Sequence, residues 1–319
     1  MIMYKKGFIK ILLNLVLILI VACLVFAVYF VYTNYVNPNP ENLEIRHYSE
    51  ISKNYPNLSN EIKQFYPNMR FRHKQITFDI SERCNDDKKD KVLEALQIIE
   101  DRTGIRFLST NNEPEVKVLC SKEEKEEAEN EFVAGEGGPT RIIESTYYPL
   151  ILQARIILYD RTDCEEPITE LHELMHVFGF EHINNSKDVL YPYLQCGQEL
   201  NSEMIDYLEE LYSIAPLPEI YFINISAVKS GVYLDFNLEI RNIGLEDIKN
   251  VTLKVYGDGK FTEKFDLGEM EYGAGKAFSV NYMKLPSHKV KVIKFELEIK
   301  EQEYDKTNNE IELEIKEQN

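Results

Sequence analysis

The sequence predicts a chain in which an α+β domain is followed by an all-β sandwich, behind one N-terminal transmembrane helix. Three observations carry this prediction. Residues 11–32 contain no charged side chain. Helical and extended patterns alternate between about residues 70 and 215, whereas from residue 216 onward apolar and polar residues alternate with the period of half-buried strands. The 319 residues are enough for two folded domains.

Residues 1–32 are predicted to be a short cytoplasmic stub and a membrane anchor. As a helix, the uncharged run from Ile11 to Tyr32 spans roughly 33 Å, against about 30 Å for a bilayer core. Lysines precede the run, and the next positive charge is Arg46, so the positive-inside rule places the rest of the chain outside the cell membrane. The alternative is a cleaved signal peptide, although no small-x-small pair ends the run.

Residues 33–69 are predicted to be a linker and lead-in segment, because Pro38 and Pro40 disfavour helix and hold the chain extended. Within the α+β domain, residues 70–215, a helix ending at Gly104 and several short strands are expected. The acidic run of residues 122–131 mixes both charges and is read as a solvated helix.

Residues 216–319 form the predicted sandwich. In "VYLDFNLEIR" every second residue from Val232 to Ile240 is apolar, and six similar runs surround it. About seven short strands without cysteine indicate an immunoglobulin-like sandwich that has no disulfide.

Composition limits the partners and cofactors. A formal net charge of -18 disfavours nucleic acid as a partner. The acidic runs leave Ca²⁺ as a minor alternative that no motif supports. Cys23 lies in the anchor, whereas Cys84, Cys120, Cys164 and Cys196 form an even set in the external segment, where disulfides persist and three pairings can form.

The stretch "HELMHVFGFEH" has the spacing of a zinc site. On a helix, His172 and His176 project from one face, and Gly179 permits the turn that returns His182 to the same ion. Three histidines leave a fourth position open for water, which is the catalytic form of zinc coordination. Glu173 is placed to act as the general base towards this zinc-bound water in the hydrolysis of peptide bonds.

This stretch, together with "DVLYPY" downstream, resembles the zinc motif and turn sequence of matrixin-like metzincin metallopeptidases. The resemblance implies a metzincin-type domain, a mixed twisted sheet plus the active-site helix, with one catalytic Zn²⁺ on His172, His176 and His182. It also implies that the edge strand near residues 131–142 binds a protein or peptide substrate as an added strand.

Two residues depart from the family pattern. Leu190 occupies the position of the turn methionine, and Ile183, which follows the third histidine, matches none of the residues that define the subfamilies. A leucine of similar volume suits an apolar floor that binds no metal. Astacin-type enzymes carry a tyrosine ligand two residues after the methionine, but here Pro192 stands at that position, so Tyr191 is expected to pack or to line the pocket. The resemblance also implies that Cys164 lies close to Cys196 and pairs with it, which leaves Cys84 to pair with Cys120.

The segments "NIGLEDIKNVTLKVYGDG" and "EYDKTNNEIEL" resemble the cell-adhesion-related (CARDB) domain of prokaryotic surface proteins. That resemblance implies an accessory module with a surface partner of its own. The sequence thus predicts a membrane-anchored extracellular zinc endopeptidase. The alternative is a catalytically silent, zinc-stabilised adhesion or binding protein, which would have no use for Glu173.

Overall fold

The computed structural model describes residues 3–32, 40–48, 56, 58–59, 61–122, 125–128, 131–145, 148–159 and 164–315. Helix α1 spans Met3–Val31, and its described side chains from Leu13 onward are exposed. The 19 residues Leu13–Val31 are long and apolar enough to cross a membrane, a test that a signal sequence also passes. The coarse prediction of one N-terminal apolar helix is confirmed.

A mixed sheet forms the centre of the α+β domain. Its strands are β2 (Arg70–Phe71), β3 (Gln75–Ile80), β4 (Arg106–Ser109), β5 (Val116–Cys120), β8 (Gly135–Ile143) and β9 (Leu150–Leu158). The path runs β2-β9-β5-β3-β4 with parallel pairings, whereas β8 pairs with β9 in the antiparallel sense. Among the described strands β8 pairs with β9 alone, so its other edge is not part of the sheet.

Three helices pack on this sheet: α2 (Asp86–Arg102), α3 (Ile168–Val177) and α4 (Ser202–Ser213). Helix α2 begins where the Asn85 side chain accepts a hydrogen bond from the Lys88 amide, and it ends at Arg102, with Thr103 as the C-cap residue, close to the predicted stop at Gly104. Apolar side chains of all three helices share one core with the sheet. The mixed α+β class predicted for this part is therefore observed.

The acidic run differs from its prediction. The described part of residues 122–131 contains strand β6 (Lys125–Ala128), which pairs with β7 (Glu131–Val133) in a small antiparallel hairpin. Mixed charge indicates that a segment is solvated, but it does not distinguish a helix from a strand. The sequence of β7 contains phenylalanine and valine, residue types that favour strands, and this favours a hairpin of β6 with β7. The helix prediction is wrong for residues 125–128.

The C-terminal part is an all-β antiparallel sandwich. Its strands are β10 (Ile220–Ser230), β11 (Tyr233–Asn242), β12 (Ile248–Gly257), β13 (Lys260–Met270), β14 (Gly275–Lys284), β15 (Val292–Glu298) and β16 (Glu310–Ile315). All seven predicted strands are present, and the apolar side chains from Val232 to Ile240 are buried as the alternation requires. A separate core around Phe236 and Phe295 fills the space between the two faces.

An eighth strand of this sandwich lies outside the predicted domain. Strand β1 (Pro40–Tyr48) inserts between β16 and β10, so the order is β13-β12-β15-β16-β1-β10-β11-β14. Glu41 of β1 forms an ion pair with Lys229, whose side chain is 4% exposed. The prediction that residues 33–69 are only a linker and lead-in is therefore wrong for residues 40–48. Pro40 stands at the first position of the strand, where proline is tolerated.

The α+β domain and the sandwich share a polar and aromatic contact. The Arg72 guanidinium bonds the Leu245 carbonyl at 2.7 Å and the Glu246 carboxylate at 2.6 Å, and it lies over the Tyr272 ring. The side chains of Ile243 and Leu245 belong to the core of the α+β domain. This continuity fixes the two domains against each other.

Both predicted disulfides are confirmed. Cys84 is bonded to Cys120 and Cys164 to Cys196, whereas Cys23 is free. The second bridge joins the segment before α3 to the segment after the Leu190 turn. It therefore encloses the whole histidine motif.

Candidate metal centre

Helix α3 carries the first two histidines through the interior of the domain. Every residue from Ile168 to Val177 is buried, and Pro167 stands immediately before the first turn, where its missing amide costs nothing. Since a fully buried helix presents no solvated face, its polar side chains need partners inside the protein. His172 and Glu173 are 6% and 3% exposed.

The chain leaves α3 through a left-handed turn at Gly179, whose φ is +85°. A side chain there would be strained, and its Cβ would lie 2.7 Å from the Met69 sulfur. The Gly179 amide bonds the His176 carbonyl at 2.9 Å. This turn reverses the chain and brings His182, which is exposed, back to the end of the helix.

The three histidines converge through their Nε2 atoms. The distances are 3.1 Å between His172 and His176, 3.2 Å between His176 and His182, and 3.2 Å between His182 and His172. Tetrahedral zinc with bonds of about 2.0–2.1 Å separates its ligand nitrogens by about 3.3–3.4 Å. The triangle therefore has nearly the size that three ligands of one zinc ion require.

The outer nitrogens of two rings settle which inner nitrogens are unprotonated. His172 Nδ1 lies 2.6 Å from the Val189 carbonyl oxygen, and His176 Nδ1 lies 2.7 Å from the Phe180 carbonyl oxygen. A carbonyl only accepts, so each Nδ1 donates its proton and each neutral ring turns a lone pair at Nε2 towards the other. Two lone pairs 3.1 Å apart are stable only with a cation or a proton between them. The donor set therefore fits a divalent metal.

Burial favours the neutral form of both rings. Desolvation, reinforced by His176 and His182, lowers the pKa of His172 to about 3, and desolvation also lowers the pKa of His176. Neutral imidazole is the form that binds metal.

Glu173 is held between α3 and the edge strand β8. A Cβ on Gly135 would lie 2.7 Å from Glu173 Oε1, and one on Gly137 would lie 2.3 Å from the Glu173 carbonyl oxygen. Two glycines are needed here because the strand approaches the helix too closely for side chains. Burial, followed by the charges of Glu136 and Glu170, raises the pKa of Glu173 to about 8, which the Gly137 amide opposes by hydrogen bonding. A divalent cation nearby would lower this pKa.

The "DVLYPY" segment lies against the histidines through its backbone. The Val189 carbonyl orients His172, and the Ile183 amide bonds the Leu190 carbonyl at 2.9 Å. The Leu190 side chain is fully buried, Tyr191 is half-buried and Pro192 is exposed. The Tyr191 ring packs near Tyr193, with centroids 5.8 Å apart.

Sequence reasoning missed the residue that holds this turn. Asp188 Oδ1 accepts the Leu190 amide at 2.9 Å, and Asp188 Oδ2 accepts the Asn201 side chain at 3.0 Å. Asn201 in turn caps α4 by accepting the Glu203 amide. The turn that positions Val189 is thus fastened to the next helix. The placement of an Asx residue at the start of a turn was the available signal.

The lead-in segment was also missed as part of the site. The Phe65 amide bonds the Gly179 carbonyl at 2.8 Å, and the Phe65 ring stacks on His176 with centroids 6.3 Å apart. Gln64 donates to the Phe178 carbonyl at 2.8 Å. No local sequence pattern signals these contacts, because they join residues more than a hundred positions apart.

Comparisons with known proteins bear on the sandwich alone. Residues 220–313 match the CARDB family model, in agreement with the resemblance predicted for this part. A comparison with curated proteins gave no match.

Proposed function

We propose that this chain is a membrane-anchored zinc endopeptidase of the metzincin type, with its active site in the external α+β domain. The observation that carries the proposal is the triangle of Nε2 atoms, with His172 and His176 each donating Nδ1–H to a backbone carbonyl. A purely structural polar cluster would pair donors with acceptors, whereas these rings present acceptors to one another. The histidines at 172, 176 and 182 would hold the ion.

When bound, zinc would act as a Lewis acid on the scissile carbonyl and would lower the pKa of a coordinated water to about 7. The Val189 and Phe180 carbonyls keep two rings in the tautomer and orientation that this role requires. A backbone hydrogen bond from Gly137 lowers the pKa of Glu173 and so favours the ionised carboxylate. Glu173 would take the proton of the attacking water and deliver it to the leaving amine.

The unpaired edge of strand β8 supports the assignment of an extended peptide as the substrate. Its described residues pair only with β9, so its outer amides and carbonyls can bind an extended peptide by strand addition. Gly135 and Gly137 bring this strand against Glu173. A substrate paired with β8 would therefore pass beside the proposed base.

The alternative of a zinc-stabilised binding protein without turnover draws on the CARDB match. The two functions differ in what Glu173 does. The test uses the full chain in detergent, unfolded casein as substrate, and bound zinc measured by mass spectrometry. The variants are Glu173→Gln and, as a matched control, Glu170→Gln. Glu170 is a buried carboxyl on the same helix, but its side chain faces α2.

We expect one zinc ion in all three proteins, and at least a hundredfold lower kcat/KM for Glu173→Gln alone. A chelator should abolish cleavage, and added zinc should restore it. Equal cleavage by the wild type and Glu173→Gln would refute the assigned base. Zinc binding without cleavage by any of the three would favour the binding protein.

The anchoring part of the proposal has a separate test. Protease added to intact cells should remove the chain beyond the apolar helix, whereas protection of the whole chain would contradict an external active site. The positive charges before the uncharged run, at Lys5, Lys6 and Lys10, support the orientation.

A further inference from the structure

The end of the sandwich to which the anchor connects can be located from strand register. Strand β1 begins at Pro40, which pairs with Ser230 at the last position of β10. Strand β10 begins at Ile220, next to the α+β domain, and its 11 residues place Ser230 about 33 Å away. The anchor therefore joins the sandwich at the end opposite the α+β domain, which we name the anchor-side end.

Three connections lie at the anchor-side end. Ser230 pairs with Tyr233, and Tyr233 pairs with Lys284 at the last position of β14. Gly257 pairs with Lys260 across the β12–β13 turn. The loop of residues 285–291 then leads into β15. The β10–β11 turn, the β12–β13 turn and the β14–β15 loop thus form one surface around Pro40.

Aromatic side chains project from this surface. Tyr282 is 76% exposed, Phe261 is 56% exposed and Tyr233 is 36% exposed. Tyr282 has a φ of +59° at a bulge where the register of β14 shifts, and its amide bonds the Asp235 carboxylate. Left-handed backbone is unfavourable for a bulky residue, and the bulge here turns the ring outward instead of burying it. Such a bulge commonly aims a side chain for function.

The surface is also basic, although the chain as a whole is acidic. Lys260, Lys284 and Lys289 are exposed, and residues 284–291 contain three lysines, one histidine and no acidic residue. The neighbouring Asp258 carboxylate accepts the amides of residues 291 and 292. At the other end of the sandwich the exposed residues include acidic side chains, at positions 247, 269 and 271. Exposed lysines also occur at that end, at positions 249, 300 and 306, so what distinguishes the anchor-side end is the run of residues 284–291, which is basic and contains no acidic residue.

We propose that the anchor-side end rests on the headgroup layer of the membrane that holds α1, with its lysines on anionic lipid phosphates and its aromatic rings in the interface. Tyrosine and lysine are the residue types that suit this layer, and basic clusters next to a membrane span bind anionic lipid. Eight residue steps from Tyr32 to Pro40 reach at most about 28 Å, so this surface stays close to the bilayer. The inference rests on the proposed anchoring and not on peptidase chemistry.

The test uses the full chain with Cys23→Ser in nanodiscs of neutral phosphatidylcholine, with or without a third of phosphatidylglycerol. A fluorophore on Asn281→Cys, next to Tyr282, reports quenching by lipids that carry a headgroup nitroxide. The same fluorophore on Glu271→Cys, at the other end of the sandwich, is the control. Co-elution with the nanodisc tests the anchor separately, and casein cleavage tests the peptidase separately.

We expect at least twofold stronger quenching at position 281 than at position 271 in anionic nanodiscs. The difference should be lost in the triple variant Lys260→Glu, Lys284→Glu, Lys289→Glu, whose exposed sites tolerate the changes. Equal quenching at positions 281 and 271 would overturn the proposal. Quenching at position 281 that is the same in neutral and anionic nanodiscs, and the same in the wild type and the triple variant, would also overturn it.

Discussion

The two disulfides should stabilise the fold equally but affect zinc binding differently. Cys84–Cys120 and Cys164–Cys196 have sequence separations of 36 and 32. The chain-entropy model assigns such loops about 3.8 and about 3.7 kcal/mol of stabilisation. Only the second loop contains the three histidines and the Leu190 turn. Each pair therefore serves as the control for the other.

Replacing both cysteines of either pair by serine should lower the free energy of unfolding of the α+β domain by about 3–4 kcal/mol. Without the bridge between Cys164 and Cys196, the segments on both sides of the motif can separate. Bringing the three histidines together around one ion then costs more conformational entropy. Zinc affinity should fall at least tenfold in that variant and less than threefold in the other. The measurements are urea unfolding by circular dichroism and competition with a chromophoric chelator under native conditions. Equal zinc affinities in the two variants would refute the reasoning.

Three further predictions concern single positions. Gly135→Ala should displace the flexible Glu173 carboxylate, because the new Cβ would lie 2.7 Å from Glu173 Oε1. Casein cleavage should therefore fall at least tenfold while the zinc content stays unchanged. Unchanged cleavage would contradict this contact. Leu190→Met should alter stability by less than about 1.5 kcal/mol and leave zinc affinity unchanged, because the turn is held by its backbone; a tenfold change in affinity would contradict this. Burial raises the pKa of Glu219 from 4.5 to about 7, so the folded state keeps a proton that the unfolded chain releases, and stability should fall by roughly 3 kcal/mol between about pH 4.5 and pH 7. Other buried carboxyls with raised pKa values, Glu173 among them, contribute to the pH dependence of both proteins, so the measurement is a difference. Urea unfolding across this range should show a loss that is roughly 3 kcal/mol smaller in Glu219→Gln than in the wild type, and parallel curves for the two proteins would exclude Glu219 as a source.

The histidine cluster was predictable because its geometry is local. His172 and His176 share a helix face by spacing alone, and Gly179 signals the reversal that returns His182. The seven strands after residue 216 were predictable for a similar reason, since period two is visible within single runs. Both predictions needed no knowledge of distant partners.

Strand β1 and the supports of the site could not be found in this way. Residues 40–48 pair with residues 228–230 and 311–315, far along the chain, and the segment opens with a proline. Phe65 contacts His176, which lies more than a hundred positions further along the chain. Asp188 acts on His172 only through the Val189 carbonyl. Long-range pairing leaves no periodic trace in a short segment.

The position of β1 also constrains the order of folding. In β16, Ile311 pairs with Tyr48 and Ile315 pairs with Leu43, so residues separated by more than 260 positions must meet before the sandwich is complete. During synthesis, β1 and the α+β domain emerge first, and the edge of β1 that faces β16 stays unpaired until β16 emerges. The α+β domain can assemble from closer contacts in the meantime. The protein thus resembles a β-sandwich interrupted after its first strand by an inserted domain, and its last strand is the one that closes it.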